Sequence, residues 1–211
     1  MTAARPKKIA AANISLCWPE RSTAQQRTLT RKCLAETGKT LLETGALWLR
    51  PGKQTLKLIK QVHGSEIVAQ AQAKGRGVIL ATPHLGAWEC AGLYCADRFD
   101  ISCLYRPPRK PGMEAFINTA RSRLGGRYLA ANAQGTRLLY KTLRQGKVIA
   151  MLPDQEPQPG AGLFAPFFNT PAYSMVLLAR MATRTATPVI FVWCERLSWG
   201  RGYHLHFREM P

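Results

Sequence analysis

The sequence predicts an α/β fold: a central, largely parallel sheet flanked by helices, preceded by an N-terminal helical segment. Three observations predict it. Short apolar runs (77–81, 101–105, 148–152 and 187–194) have the length of buried strands. Helix-patterned stretches separate them, and alternation of this kind implies a parallel sheet with helices on its faces. Polar residues follow directly after several runs, at the strand ends where open α/β sheets place their chemistry. A length of 211 residues suits one domain with one buried core.

The elements follow in order. After the break Pro19-Glu20-Arg21-Ser22, a helical pattern starts at Thr23 or Ala24. Leu29, Cys33, Leu34, Leu41, Leu42, Trp48 and Leu49 recur at helical intervals, and Pro51-Gly52 ends the run. That stripe is expected to cap the core, leaving a basic outer face for water or lipid. A short helix over 54–62 leads to the strand Gly77-Val78-Ile79-Leu80-Ala81. Ile101–Tyr105 is a second strand, closed by Arg106-Pro107-Pro108, and Met113–Leu124 is a helix ending at Gly125-Gly126. Gly135–Arg144 is a helix with Gly146 as its C-terminal stop, and Val148–Leu152 is a third strand. Residues 156–171 read as a Pro/Gly-rich loop carrying Phe164, Phe167 and Phe168, followed by a helix over 172–184. Thr187–Cys194 is a strong strand, and Tyr203–Arg208 alternates like an antiparallel or edge strand. The domain then divides into an N-terminal helical part (1–62) and an α/β core (63–211), with the sheet's final cover expected beyond the last strand.

The stretch Thr82-Pro83-His84-Leu85-Gly86-Ala87-Trp88-Glu89 joins a strand to a helix. Side chains five apart on one continuous helix diverge by about 140°. His84 and Glu89 therefore meet only if His84 lies in the turn that Pro83 and Gly86 favour, with Glu89 on the first helical turn. A carboxylate on one imidazole nitrogen fixes the tautomer and lets the other nitrogen take a proton from a hydroxyl. Alternatively, His84 is held by local hydrogen bonds and Glu89 simply sits favourably at a helix N-terminus. One short motif leaves both readings open.

The charge is unusual. Thirty Lys and Arg against twelve Asp and Glu give +18, which argues for a polyanionic partner: nucleic acid, an anionic lipid surface or an acidic protein. Residues 1–60 hold twelve basic residues against Glu20, Glu36 and Glu43; residues 106–127 hold six against Glu114. The six cysteines (17, 33, 90, 95, 103 and 194) lie in apolar or helical sequence without a C-x-x-C, so reduced thiols are expected. No metal site is expected, because none of the four histidines completes a zinc spacing. No apolar run approaches the roughly 20 residues needed to span a bilayer, and the first dozen residues lack a signal-peptide apolar region.

With these residues in view, the chain resembles the late acyltransferases of lipid A biosynthesis, within the glycerolipid and lysophospholipid acyltransferase superfamily. Six collinear blocks carry the resemblance over nearly the whole chain. They are Asn13-Ile14-Ser15-Leu16-Cys17-Trp18-Pro19-Glu20, then Thr82–Glu89, then Leu104-Tyr105-Arg106-Pro107. Arg121 with Gly125, Leu152-Pro153-Asp154-Gln155, and Pro166-Phe167-Phe168 with Pro171-Ala172 complete them.

The resemblance implies a glycerolipid-acyltransferase-like fold and transfer of a fatty acyl group from acyl carrier protein to a hydroxyl of a lipid A precursor. The implied place is the cytoplasmic face of the bacterial inner membrane, with peripheral attachment and no cofactor beyond the acyl donor. It implies His84 as general base and Glu89 as its orienting partner, with Arg106 and Asp154 lining the site beside Gln155. Arg106, Arg121 and Arg123 are of the type suited to bidentate phosphate contact. Phe167 and Phe168, with Phe164, border an acyl-chain channel or else pack as ordinary core aromatics. Relatives begin with a hydrophobic anchor helix and continue further, so the chain is expected to be shortened at both ends.

Other readings compete. The acceptor is a lysophospholipid or another alcohol-bearing lipid, or the chain is an inactive, basic, membrane-binding homologue. A covalent route through Cys90 is disfavoured by its apolar helical setting. Nucleic acid is not expected as a partner, because no recognised signature or aromatic-interleaved basic stripe is evident.

Overall fold

The computed structural model describes residues 4–106 and 112–210. Pro107, Pro108, Arg109 and Lys110, part of the break and basic cluster read above, lie outside the described residues, as do Met1–Ala3.

Three helices come first: α1 (Ala4–Cys17), α2 (Thr23–Leu49) and α3 (Gly52–Leu56). The start of α2 is set by a capping box, in which the Gln25 N–H donates to Ser22 Oγ at 3.3 Å and the Ser22 N–H donates to Gln25 Oε1 at 2.9 Å. Pro51 stops it. The expected apolar stripe does not cap the core: only Thr30 and Leu47 of α2 are buried, and Leu41, Leu42 and Leu49 are among the most exposed large apolar side chains. The reason lies in how α2 is tethered. Arg196 donates to Glu43 Oε1 and Oε2, to Glu36 Oε2 and to Thr40 Oγ1, at 2.6 to 2.9 Å. These polar residues turn inward and the leucines turn out.

The chain then alternates: β1 (Ile59–His63), α4 (Glu66–Ala73), β2 (Val78–Ala81), α5 (Trp88–Phe99), β3 (Ser102–Tyr105), α6 (Met113–Ser122), β4 (Arg127–Ala130), α7 (Ala133–Arg144) and β5 (Val148–Met151). A hairpin, β6 (Gly162–Phe167) and β7 (Thr170–Met175), precedes α8 (Leu177–Thr185), β8 (Val189–Arg196) and β9 (Tyr203–Glu209). Seven strands form one sheet in the order β1-β9-β8-β2-β5-β3-β4, parallel except for the antiparallel pair β8/β9. The predicted α/β class and its largely parallel sheet are what the molecule has.

The details differ in four places. The stretch 54–62 is half helix and half strand, because the chain leaves α3 at Lys57 to pair with β9. The 127–130 strand, which opens on Arg127 and is fully buried at none of its four positions, does not stand out by composition; it pairs with β3. The Phe-rich loop and the start of the 172–184 helix are instead the β6/β7 hairpin, closed by a two-residue turn with Phe168 and Asn169 both at positive φ. Tyr203–Arg208 is antiparallel to β8 as expected but lies inside the sheet, since β1 takes the edge.

Continuous apolar strands are buried on both faces. Val78 and Leu80 point into a core with α5, while Ile79 points into another with Leu139 and Leu143 of α7 and Met181 of α8.

Candidate active site

His84 and Asp154 come together because their strands are neighbours in register. In the parallel pair β2/β5, Ala81 faces Met151, and each functional residue lies three positions further on. The loop carrying His84 is itself pinned to β8. Gly86 has φ +64° and forms a bridge with Cys194, the Ala87 N–H donates to the Cys194 carbonyl at 2.9 Å, and Arg196 donates to the Gly86 carbonyl at 2.8 Å. A Cβ at position 86 would collide with the Cys194 carbonyl, so the close approach and the positive φ both require glycine.

One carboxylate holds His84 twice. The His84 backbone N–H donates to Asp154 Oδ2 at 2.7 Å, and Nδ1 lies 2.8 Å from Oδ1. An ionised carboxylate only accepts, so Nδ1 carries the proton and Nε2 presents its lone pair. The Gln155 side-chain amide nitrogen lies 3.2 Å from Nε2, where it donates. Trp88 packs its ring edgewise on the imidazole, with centroids 5.0 Å apart.

The expected pairing of His84 with Glu89 is not the contact formed. His84 lies in the turn and Glu89 on the first turn of α5, as the spacing requires, but the two are not hydrogen-bonded. Glu89 is 4% exposed and turned inward, where Arg121 of α6 grips it by two bonds, Nε to Oε2 at 3.2 Å and Nη2 to Oε1 at 2.5 Å. The guanidinium also lies over Trp88 and Trp48, 5.4 and 5.6 Å from their ring centroids. Burial works against the Arg121 charge, but the bonds and charge of Glu89 outweigh it and the pKa rises. A buried carboxylate needs a partner, and Arg121 reaches it where His84, already held by Asp154, does not.

Arg121 is thus engaged by Glu89 rather than presented to a phosphate. Arg123, also read as a phosphate contact, instead caps the end of α2 by donating to the Trp48 and Leu47 carbonyls at 2.8 and 2.5 Å. Burial lowers its pKa.

Two hollows meet at Gln155. A groove of about 450 Å³ is lined by His84, Trp88, Arg106, Arg121 and Gln155, with Leu104, Leu152, Met175 and Leu177 as apolar walls. A wider hollow of about 880 Å³ is bordered by Asp154, Gln155, Phe164, Phe167 and Tyr173. The His84 imidazole lies at the groove and not at the wider hollow, so the groove is the space its chemistry reaches. Phe164, Phe167 and Phe168 are not core residues; all three are exposed on the hairpin, and the Phe168 ring meets Trp18, which follows α1, at 4.9 Å.

Cys90 is fully buried, out of a substrate's reach. The Cys194 thiol is pushed up by its hydrogen bond with Cys90 and by burial, and burial pushes the Cys103 thiol up to about 12. All six cysteines are free, as expected. Away from this groove, His63, His204 and His206 place one ligand atom each within 4.8 Å of one another. Sequence spacing missed them because β1 and β9 stand far apart in the chain.

A family model described as bacterial lipid A biosynthesis acyltransferase matches residues 1–209. Among curated proteins, the chain is 27% identical over 205 residues to a lipid A biosynthesis lauroyltransferase of Escherichia coli (strain K12), covering 95% of this chain and 65% of that protein. It is 27% identical over 170 residues to a lipid A biosynthesis myristoyltransferase of the same organism, covering 80% and 52%. A phosphatidylinositol mannoside acyltransferase of Mycobacterium tuberculosis (strain CDC 1551 / Oshkosh) is 27% identical over 156 residues, covering 70% and 48%. The chain thus spans about half to two thirds of the length of these relatives.

Proposed function

Because this chain belongs to the bacterial lipid A biosynthesis acyltransferase family, we propose that it transfers a fatty acyl group from acyl carrier protein to a hydroxyl of a lipid A precursor, with His84 as general base. The observation that carries this reading is the Nδ1 contact with Asp154 at 2.8 Å, which leaves Nε2 as the basic nitrogen beside an apolar-walled groove.

Nε2 takes the acceptor hydroxyl's proton as that oxygen attacks the thioester carbonyl carbon. The tetrahedral adduct then collapses, the C–S bond breaks, and the imidazolium returns its proton to the leaving thiolate. Asp154 stabilises the imidazolium and holds the ring in place. Gln155 vacates or shares Nε2 as the acceptor enters. Leu104, Leu152, Met175 and Leu177 suit a hydrocarbon chain, and Arg106 at the same groove suits an anionic group on the substrate. Glu89 acts through structure: its ion pair with Arg121 fixes the start of α5 against α6 and so positions the groove wall. The charge of +18 suits both an acidic carrier protein and an anionic lipid surface, and it supports the proposed peripheral attachment at the cytoplasmic face of the inner membrane. Among the described residues, no helix is long and apolar enough to cross a membrane.

The test is transfer from acyl-loaded carrier protein to a lipid A precursor. His84→Ala should lower the rate by about 10²–10⁴-fold while the protein stays folded; near-normal transfer by that variant overturns the assignment. The similarity to a phosphatidylinositol mannoside acyltransferase favours one second reading, a different glycolipid or lysophospholipid acceptor with the same base. A panel of acceptors decides between them.

A further inference from the structure

We propose that His63, His204 and His206 form a binding site for a divalent transition-metal cation of the zinc class, separate from the groove that holds His84. The three ligand atoms lie within 4.8 Å of one another. Ligands of a tetrahedral zinc site at 2.0–2.1 Å from the metal stand roughly 3.3 Å apart. Closing the set thus takes a shift of about 1.5 Å together with a turn of the His63 ring out of its stack on His206, so that both in-plane lone pairs meet the ion; both motions are side-chain rotations.

The sheet builds this cluster. On β9, His204 and His206 are two apart and share a face, opposite to the one on which Leu205 is buried in the core. On β1, His63 is the direct partner of His206 in the parallel register, so its imidazole rises beside the other two. Trp193 of β8 stacks on His206 with centroids 4.8 Å apart and planes 7° from parallel, and His63 stacks on the other side at 4.8 Å and 18°. Glu195 Oε2 lies 3.3 Å from His206 Nε2. A carboxylate at that place either orients the imidazole or supplies a fourth ligand. All three rings remain partly open to solvent, so a cation has a path in. Neutral imidazoles select zinc, copper or nickel over magnesium or calcium, which prefer oxygen.

A cation here would clip β1, the edge strand beside β9 among the described residues, onto the sheet interior. The expected consequence is stabilisation by linkage rather than chemistry, since the ion binds the folded arrangement and not the open chain.

The experiment uses the tag-free chain carrying Cys33→Ser, which removes an exposed thiol that would also take zinc. Zinc alone, titrated by calorimetry, should bind at one equivalent with Kd at or below about 1 µM. It should raise Tm by about 5 °C or more at saturation, and cobalt in its place should give a visible d–d band. His204→Gln combined with His206→Gln should weaken binding at least about 100-fold and abolish the Tm shift, with His84 still present. His63→Gln on the edge strand should weaken it similarly, and circular dichroism of that single variant confirms a folded chain. No stoichiometric zinc binding, or unchanged affinity in folded His63→Gln, overturns the proposal.

Discussion

At the scale of single residues, the division of labour between two carboxylates is the sharpest feature of the site. Asp154 is partly open and accepts from the backbone and ring of His84, whereas Glu89 is buried and holds a guanidinium. Their substitutions should therefore fail differently. Asp154→Asn keeps the shape but removes the charge that fixes the tautomer, so transfer should fall by about 10²-fold or more while Tm moves little, measured by carrier-protein assay and thermal melting. Glu89→Gln leaves Arg121 charged and unpaired, and unfolding in urea should show a loss of about 3 kcal/mol. Pairing it with Arg121→Met should recover much of that stability, because the buried charge then disappears with its partner. Glu89→Gln as stable as the parent would show that the pair contributes nothing to the fold.

At the scale of elements, the loop before α5 and the outward face of α2 make opposite claims. Gly86 serves a close backbone approach at positive φ, so Gly86→Ala should cost at least about 2 kcal/mol and displace His84, seen as lost activity alongside lowered stability. The leucines of α2 look like core residues in sequence but are exposed. Leu41→Ser and Leu42→Ser should each change stability by less than about 0.5 kcal/mol in solution; a loss of 2–5 kcal/mol, typical of a core leucine, would mean that this face packs against something. Helical periodicity revealed that stripe yet not its direction, because the tethers that orient α2 come from Arg196, more than a hundred residues away.

At the scale of the whole molecule, the excess of positive charge is the dominant long-range property. Binding to vesicles rich in phosphatidylglycerol should be measurable by flotation at low salt and fall steeply by 0.5 M NaCl, as the Debye length shrinks below the spacing of surface charges. Binding that ignores salt would assign the attachment to apolar contacts such as the exposed Phe164, Phe167 and Phe168 instead.

Local sequence by itself determined β2, β3, β5, β8 and β9, most helices and the candidate base. Four-residue apolar runs bounded by turn residues have few other ways to bury themselves, and a histidine after such a run falls at the sheet's C-terminal end. Only the tertiary structure decided who pairs with whom. Asp154 reaches His84 because β2 and β5 are neighbours in register; Glu89 turns to Arg121 because a buried carboxylate must be neutralised from whichever helix packs against it. The three clustered histidines likewise depend on β1 returning to the side of β9. Hydrogen-bond partners are fixed by which strands and helices lie adjacent, and local periodicity carries no record of that choice.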